Sequence, residues 1–223
     1  LRKTSKTPEL WHRIVARLRK TLGGSPQPSV STVAADYRDP FRILVSTVIS
    51  LRTKDRVTSE ASARLFARAA DPAALAALDT AEIARLIYPA GFYNTKARSL
   101  GDIARTLVRD FAGEVPRTRE ELLSLPGVGR KTANLVLGLG FGVPAICVDT
   151  HVHRIPNRLG LVETNTPQQT EAALEEGLPG EYWIEINGLL VQFGQQICTP
   201  VSPWCSRCPL ADLCPRVGVD RSR

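Results

Sequence analysis

Leu125-Pro126-Gly127-Val128-Gly129-Arg130-Lys131-Thr132-Ala133 is the stretch on which the fold reading turns. Apolar residues at helical spacing lie on both sides of it, which predicts helices over Arg119–Ser124 and Arg130–Phe141. The glycines between them free a tight turn from side chains and allow positive φ. Such a turn presents backbone N–H groups at a helix start, where the amides and the helix dipole together favour an anion. A DNA phosphate suits Gly127, Val128 and Gly129, and such contact binds without reading sequence. A plain linker between two helices accounts for the same residues. Lys131 falls in the first turn, at the positive end of the dipole, a placement that favours the free amine a Schiff base requires. An inert surface lysine is the competing reading.

Outward from this turn, helical spacing continues almost throughout, without the turn-bounded alternation of a sheet. Further helices are predicted over Pro8–Leu22, Phe41–Leu51, Lys54–Ala70, Thr80–Tyr88, Lys96–Phe111, Thr150–Leu159, Pro167–Glu176 and Tyr182–Cys198. Residues Gly23–Ser31, rich in Gly, Pro and Ser, read as a linker. Downstream, Val148-Asp149-Thr150-His151-Val152 follows a Gly and Pro loop and places Asp149 to cap a helix. A carboxylate there can also stabilise positive charge developing on a sugar or help to activate an amine.

The 223 residues suffice for one large domain or two small ones. With 43% hydrophobic and 23% charged residues the composition is that of a folded protein. The uncharged runs Thr132–Val148 and Ile186–Ser206 are too short or too polar for a bilayer, so no membrane partner is expected. The first ten residues lack a secretory pattern, which predicts a cytoplasmic, reducing setting. Net charge is +7, and the pI lies near 9.5. Basic residues gather at the start (Arg2, Lys3, Lys6, Arg13, Arg17, Arg19, Lys20) and glutamates between Gly160 and Ser206. A nucleic-acid footprint and a merely solvated face both fit that balance.

Cys198, Cys205, Cys208 and Cys214 form C-x6-C-x2-C-x5-C, whereas Cys147 stands alone among apolar neighbours. In a reducing compartment four thiols this close suggest a shared metal rather than disulfides. The unequal gaps favour iron and sulfur over zinc without excluding zinc.

Together, LPGVGRKTAN, VDTHV, HRIPNRLG and the four-cysteine loop resemble the endonuclease III family of DNA glycosylases, over about Phe41 to Pro215. The resemblance implies an all-α fold of two helical domains with a cleft between them. One, residues 33–143, would be a six-helix barrel carrying the helix-hairpin-helix motif. The other, residues 1–32 plus 144–223, would hold a [4Fe-4S] cluster on Cys198, Cys205, Cys208 and Cys214. It implies a bifunctional glycosylase and abasic-site lyase acting on oxidised pyrimidines in double-stranded DNA, as a monomer, at the nucleoid if the chain is bacterial. Lys131 would be the nucleophile, Asp149 its partner, and His151 a backbone contact. Phe92 would be the wedge into the space left by an extruded base.

The chain departs from the family pattern at Arg52, where relatives commonly carry Gln, which bears on opposite-base preference. Pro156 is a second departure, set inside the helix begun at Thr150. An adenine glycosylase is disfavoured by Lys131 and by the absence of a Glu that such a relative carries in an early helix, where this sequence has Thr47 or a neighbour. A mismatch-type monofunctional glycosylase and a non-catalytic, redox-sensing iron–sulfur DNA binder are the alternatives.

Overall fold

The computed structural model describes residues 8–24, 28–37 and 39–223. Among them every element is helical. The chain divides into two compact units, Pro28–Val143 and Leu1–Gln27 with Pro144–Arg223. The division falls at Pro28, ahead of the boundary at residue 33 expected from sequence.

In the Pro28–Val143 unit the elements are α2 (Ser29–Tyr37), α3 (Pro40–Ser50), α4 (Asp55–Arg68), α5 (Pro72–Ala76), α6 (Thr80–Ile87), α7 (Tyr93–Asp110), α8 (Arg119–Ser124) and α9 (Arg130–Phe141). The other unit contains α1 (Pro8–Leu22), α10 (Thr150–Arg158), α11 (Pro167–Gly177) and α12 (Ile186–Gln196), with short 3-10 turns at Gly180–Tyr182 and Cys205–Arg207.

Helix α3 is the axis of its unit. It is buried from Phe41 through Ile49 except at Arg42, and packs against α2, α4, α7 and α9. Asp39 starts it by accepting from the Phe41 amide at 2.9 Å, with Pro40 at the first position, where a missing N–H costs nothing. Thr47 is fully buried and returns its hydroxyl to Ile43 O at 2.7 Å. Two helices escaped the sequence reading. α2 occupies part of the expected linker, built from β-branched and small residues with weak periodicity, while Ser29 bonds Asp55 through its hydroxyl at 3.0 Å. α5, at five residues, is too short to show a period and rests on the Asp71 cap and Pro72.

Helix α1 presents Trp11, Ile14, Val15, Leu18 and Leu22 along one stripe and packs on α12. Its basic residues are partly spent within the unit: Arg17 pairs with Asp212, and Arg19 with Glu185. The basic N-terminal cluster is therefore less available to phosphate than its sequence suggests; Arg2, Lys3 and Lys6 lie outside the described residues. Pro156 sits in the last turn of α10. Gly160, at φ 66°, ends the helix by donating to Asn157 O at 3.0 Å, and Leu161 donates to Pro156 O at 2.9 Å. The proline thus interrupts a helix already at its end.

Leu18 is fully buried beneath α12. Leu18→Ala is expected to lower stability by about 2–5 kcal/mol in urea denaturation, as for other buried leucines.

Candidate functional site

The glycine turn has the expected form. Gly127 lies at φ 75°, a conformation that side-chain-bearing residues rarely adopt, and Val128 N closes the turn on Leu125 O at 3.1 Å. A Cβ on Gly129 would meet nothing within 4 Å, and its φ of −101° suits any residue. Neither packing nor backbone geometry within the protein demands glycine there, whereas close approach by an outside group would. α9 begins at Gly129 without a side-chain cap. Val128 turns its side chain inward, 6% exposed, and its amide is committed to the turn. Lys131, half-buried, is the second residue of α9.

Asp149 belongs to the other unit, where it starts α10. Its Oδ1 accepts from His151 N at 2.8 Å and Val152 N at 2.9 Å. This is the cap that the sequence predicts, and it fixes the carboxylate on a rigid helix end. His151 packs hard against α12: a Cβ on Gly194 would fall 2.1 Å from His151 Nδ1, and the same nitrogen faces Arg154 Nη2 at 3.1 Å.

Arg52 and Phe92, forty residues apart in sequence, come together. Both are non-glycine residues in the left-handed region, at φ 52° and 57°, and the guanidinium lies over the ring with its carbon 5.5 Å from the centroid. Such backbone conformations cost on the order of 1–3 kcal/mol each and persist only where surroundings enforce them. Phe92 is 63% exposed, an apolar ring held out into solvent. The enforcement comes from a residue that the sequence reading missed. Lys96 is 6% exposed, and its Nζ donates to Ile49 O at 2.6 Å, Leu51 O at 2.5 Å and Thr53 Oγ1 at 2.8 Å. Burial pushes the ammonium down to about 8, while the three oxygens favour its charged form. A signal existed: Lys96 shares the stripe of Leu100, Ile103 and Leu107, an apolar face on which a lysine is out of place.

Cys198, Cys205, Cys208 and Cys214 line one pocket together with Ile155, Phe193 and Trp204. Cys147 is buried, apart from this set, as its apolar neighbours predict. Among the described residues no group of three or more His, Cys, Asp or Glu side chains is drawn together as a single metal ion would require. The donors nevertheless fit a cluster of iron and sulfide. Four sulfurs ring an apolar pocket, and N–H groups already point at two of them. Arg158 Nη1 lies 3.5 Å from Cys198 Sγ, and Leu210 N lies 3.4 Å from Cys208 Sγ. Burial pushes the Cys208 thiol up to about 11 and Cys214 up as well, shifts that a bound cationic centre reverses. Arg158, itself 8% exposed, also donates to Thr199 O at 2.7 Å and Pro200 O at 2.5 Å, holding the loop after the first cysteine.

Residues 45–180 match the family described as HhH-GPD superfamily base excision DNA repair protein. An endonuclease III from Thermotoga maritima is 51% identical over 176 residues, which span 79% of this chain and 83% of that protein. The chain belongs to the endonuclease III family. It is a base excision DNA repair enzyme. A solved trapped endonuclease III–DNA covalent intermediate is similar at a TM-score of 0.83 and 34% identity, over 94% of this chain and 96% of that one. A thermostable thymine-DNA glycosylase is similar at 0.80 and 28%, over 93% and 96%.

The cap and the charge of Asp149 can be separated in this family member. Asp149→Ala is expected to lower thermal stability by about 0.5–2 kcal/mol through loss of the α10 cap. Asp149→Asn keeps an accepting oxygen and should hold the melting temperature near wild type while losing base excision.

Proposed function

We propose that this endonuclease III-family enzyme is a bifunctional DNA glycosylase and abasic-site lyase that excises oxidised pyrimidines from duplex DNA. The observation that carries the reading is Lys131 as the second residue of α9, immediately after a glycine turn open to an outside group. The turn holds a phosphate on backbone amides, which places the sugar-phosphate chain beside the amine. The lesion nucleotide is extruded from the stack, Phe92 fills the space it leaves, and Arg52 meets the opposite strand.

The free amine of Lys131 attacks C1′ of the extruded nucleotide. The glycosidic C–N bond breaks and the base leaves with its electron pair and takes a proton; the C1′–O4′ bond of the resulting aminal then breaks, O4′ keeps that electron pair and takes a proton, and the opened sugar is joined to Lys131 as an iminium at C1′. Asp149 sets negative charge against the cation that develops at the sugar. Loss of a C2′ proton then expels the 3′ phosphate by β-elimination, and water hydrolyses the imine to release the enzyme. A monofunctional glycosylase would use water in the first step and need no lysine, so Lys131 separates this reading from the thymine-DNA type.

A [4Fe-4S] cluster on Cys198, Cys205, Cys208 and Cys214 supplies, when bound, four iron–thiolate bonds that hold residues 198–214 as one loop. Arg158 positions Cys198, and Ile155, Phe193 and Trp204 keep water from the pocket.

Borohydride trapping on duplexes carrying an oxidised pyrimidine or an abasic site tests the chemistry. Wild type should give a covalent adduct on both. Lys131→Gln should give none and lose strand cleavage by more than about 1,000-fold while still binding the duplex. An adduct retained by Lys131→Gln would remove Lys131 from the nucleophile's role. The purified protein should be brown and carry close to four irons per chain. Cys205→Ser should lose the colour and the iron; a colourless wild type loaded with zinc would overturn the cluster assignment.

A further inference from the structure

Lys96 is a buried cation whose partners are all neutral oxygens. An apolar residue would continue the stripe of α7 with less desolvation, so packing alone gives no reason for a lysine at this place. Its contacts give one. Its Nζ donates to Leu51 O and Thr53 Oγ1, the residues on either side of Arg52, from the first turn of the helix that Phe92 begins, where the Lys96 N–H makes the ordinary helix bond to Phe92 O at 3.0 Å. One side chain therefore grips both flanks of Arg52 from a residue fixed one helical turn beyond Phe92.

The same oxygen of Thr53 also accepts from Gly91 N at 3.1 Å, which ties the Phe92 loop to the Arg52 loop by a second route. Gly91 lies so close to the Arg52 backbone that a Cβ there would fall 2.4 Å from Arg52 O. Ile49 O, the third acceptor, is among the last carbonyls of α3, so the ammonium also closes the negative end of that helix. An ammonium has three donors, and all three are used. The grip is thus complete only for a protonated lysine in this position.

We propose that Lys96 is a positioning residue for base extrusion, locking Arg52 and Phe92 into a single rigid wedge. This rests on the reading of Arg52 and Phe92 as the groups that enter the duplex. Lys96 touches no DNA in this account; it acts through the two loops that do. Unlocked, the left-handed conformations of Arg52 and Phe92 relax, and the ring and guanidinium no longer arrive together.

The test is single-turnover excision of thymine glycol from two duplexes, one with adenine opposite the lesion and one with an abasic analogue opposite it. Extrusion leaves an orphaned base only in the first, so only the first needs the wedge. Lys96→Met should slow excision about tenfold or more on the paired duplex and within about twofold on the other, the scale on which small misplacements act. It should add nothing to an Arg52→Ala/Phe92→Ala double variant. Thr53→Val, which removes one acceptor and the bridge to Gly91, should show the same selectivity in milder form and keeps the test open should Lys96→Met fold poorly. Equal slowing on both duplexes by Lys96→Met or Thr53→Val, beside a selective Arg52→Ala/Phe92→Ala variant, would mean that Lys96 only supports the fold, and the proposal fails. If Arg52→Ala/Phe92→Ala is itself unselective, the wedge reading fails and takes the proposal with it, while Lys131-dependent trapping stands.

Discussion

Every helix leaves its first amides without an intrahelical partner, and how each start is closed organises this molecule. Asp39, Asp71, Asp79, Thr118, Asp149 and Thr166 each turn a side-chain oxygen back onto the helix that follows. α4, α7 and α9 begin without such a cap, at Lys54, Phe92 and Gly129. These three starts follow the Arg52 loop, the Phe92 loop and the glycine turn. α12 also starts uncapped, at Glu185, outside this group. Among α3 to α9, then, the starts without a side-chain cap are those that follow the two loops and the turn proposed to meet DNA. A phosphate at an open start does for the helix what an aspartate does elsewhere.

Asp149 shows the two uses combined. As a cap it must accept from the amides of His151 and Val152, which fixes Oδ1 and removes the freedom that a flexible surface carboxylate would have. That rigidity is what an electrostatic group needs, since it acts only if its charge is in place before the sugar becomes cationic. The structural role and the chemical role proposed for Asp149 therefore demand the same geometry, and neither displaces the other.

What the sequence disclosed follows from where each signal resides. α1, α8 and α9 have the bounds predicted because their apolar spacing and end signals are local. α2 did not announce itself: Ser, Thr and Val dominate it, and it is secured by contacts with α3 and α4 rather than by its own pattern. The proposals for Lys131, Asp149 and the four cysteines rest on short motifs whose chemistry is read from neighbours in the chain. The contact read for Val128 is one of backbone, and the inward packing of its side chain lay outside that reading. Lys96 was invisible for the opposite reason. Its meaning lies in oxygens of Ile49, Leu51 and Thr53, more than forty residues upstream, and no local window contains them.

The strained loop tips show why that distant lysine matters. Glycine at position 52 or 92 would adopt the left-handed backbone at no steric cost, but it would delete the guanidinium or the ring that the position exists to present. Keeping the side chain means keeping the strain, and strain of this size relaxes unless neighbours over-determine the backbone. Gly91 supplies the close approach between the loops, Thr53 the bridge, and Lys96 the charge that binds three oxygens at once. Of the three, Lys96 is the one that local preference disfavours, a charge on an apolar helix stripe. Together they hold two unfavourable conformations in the one arrangement that offers a ring and a cation side by side.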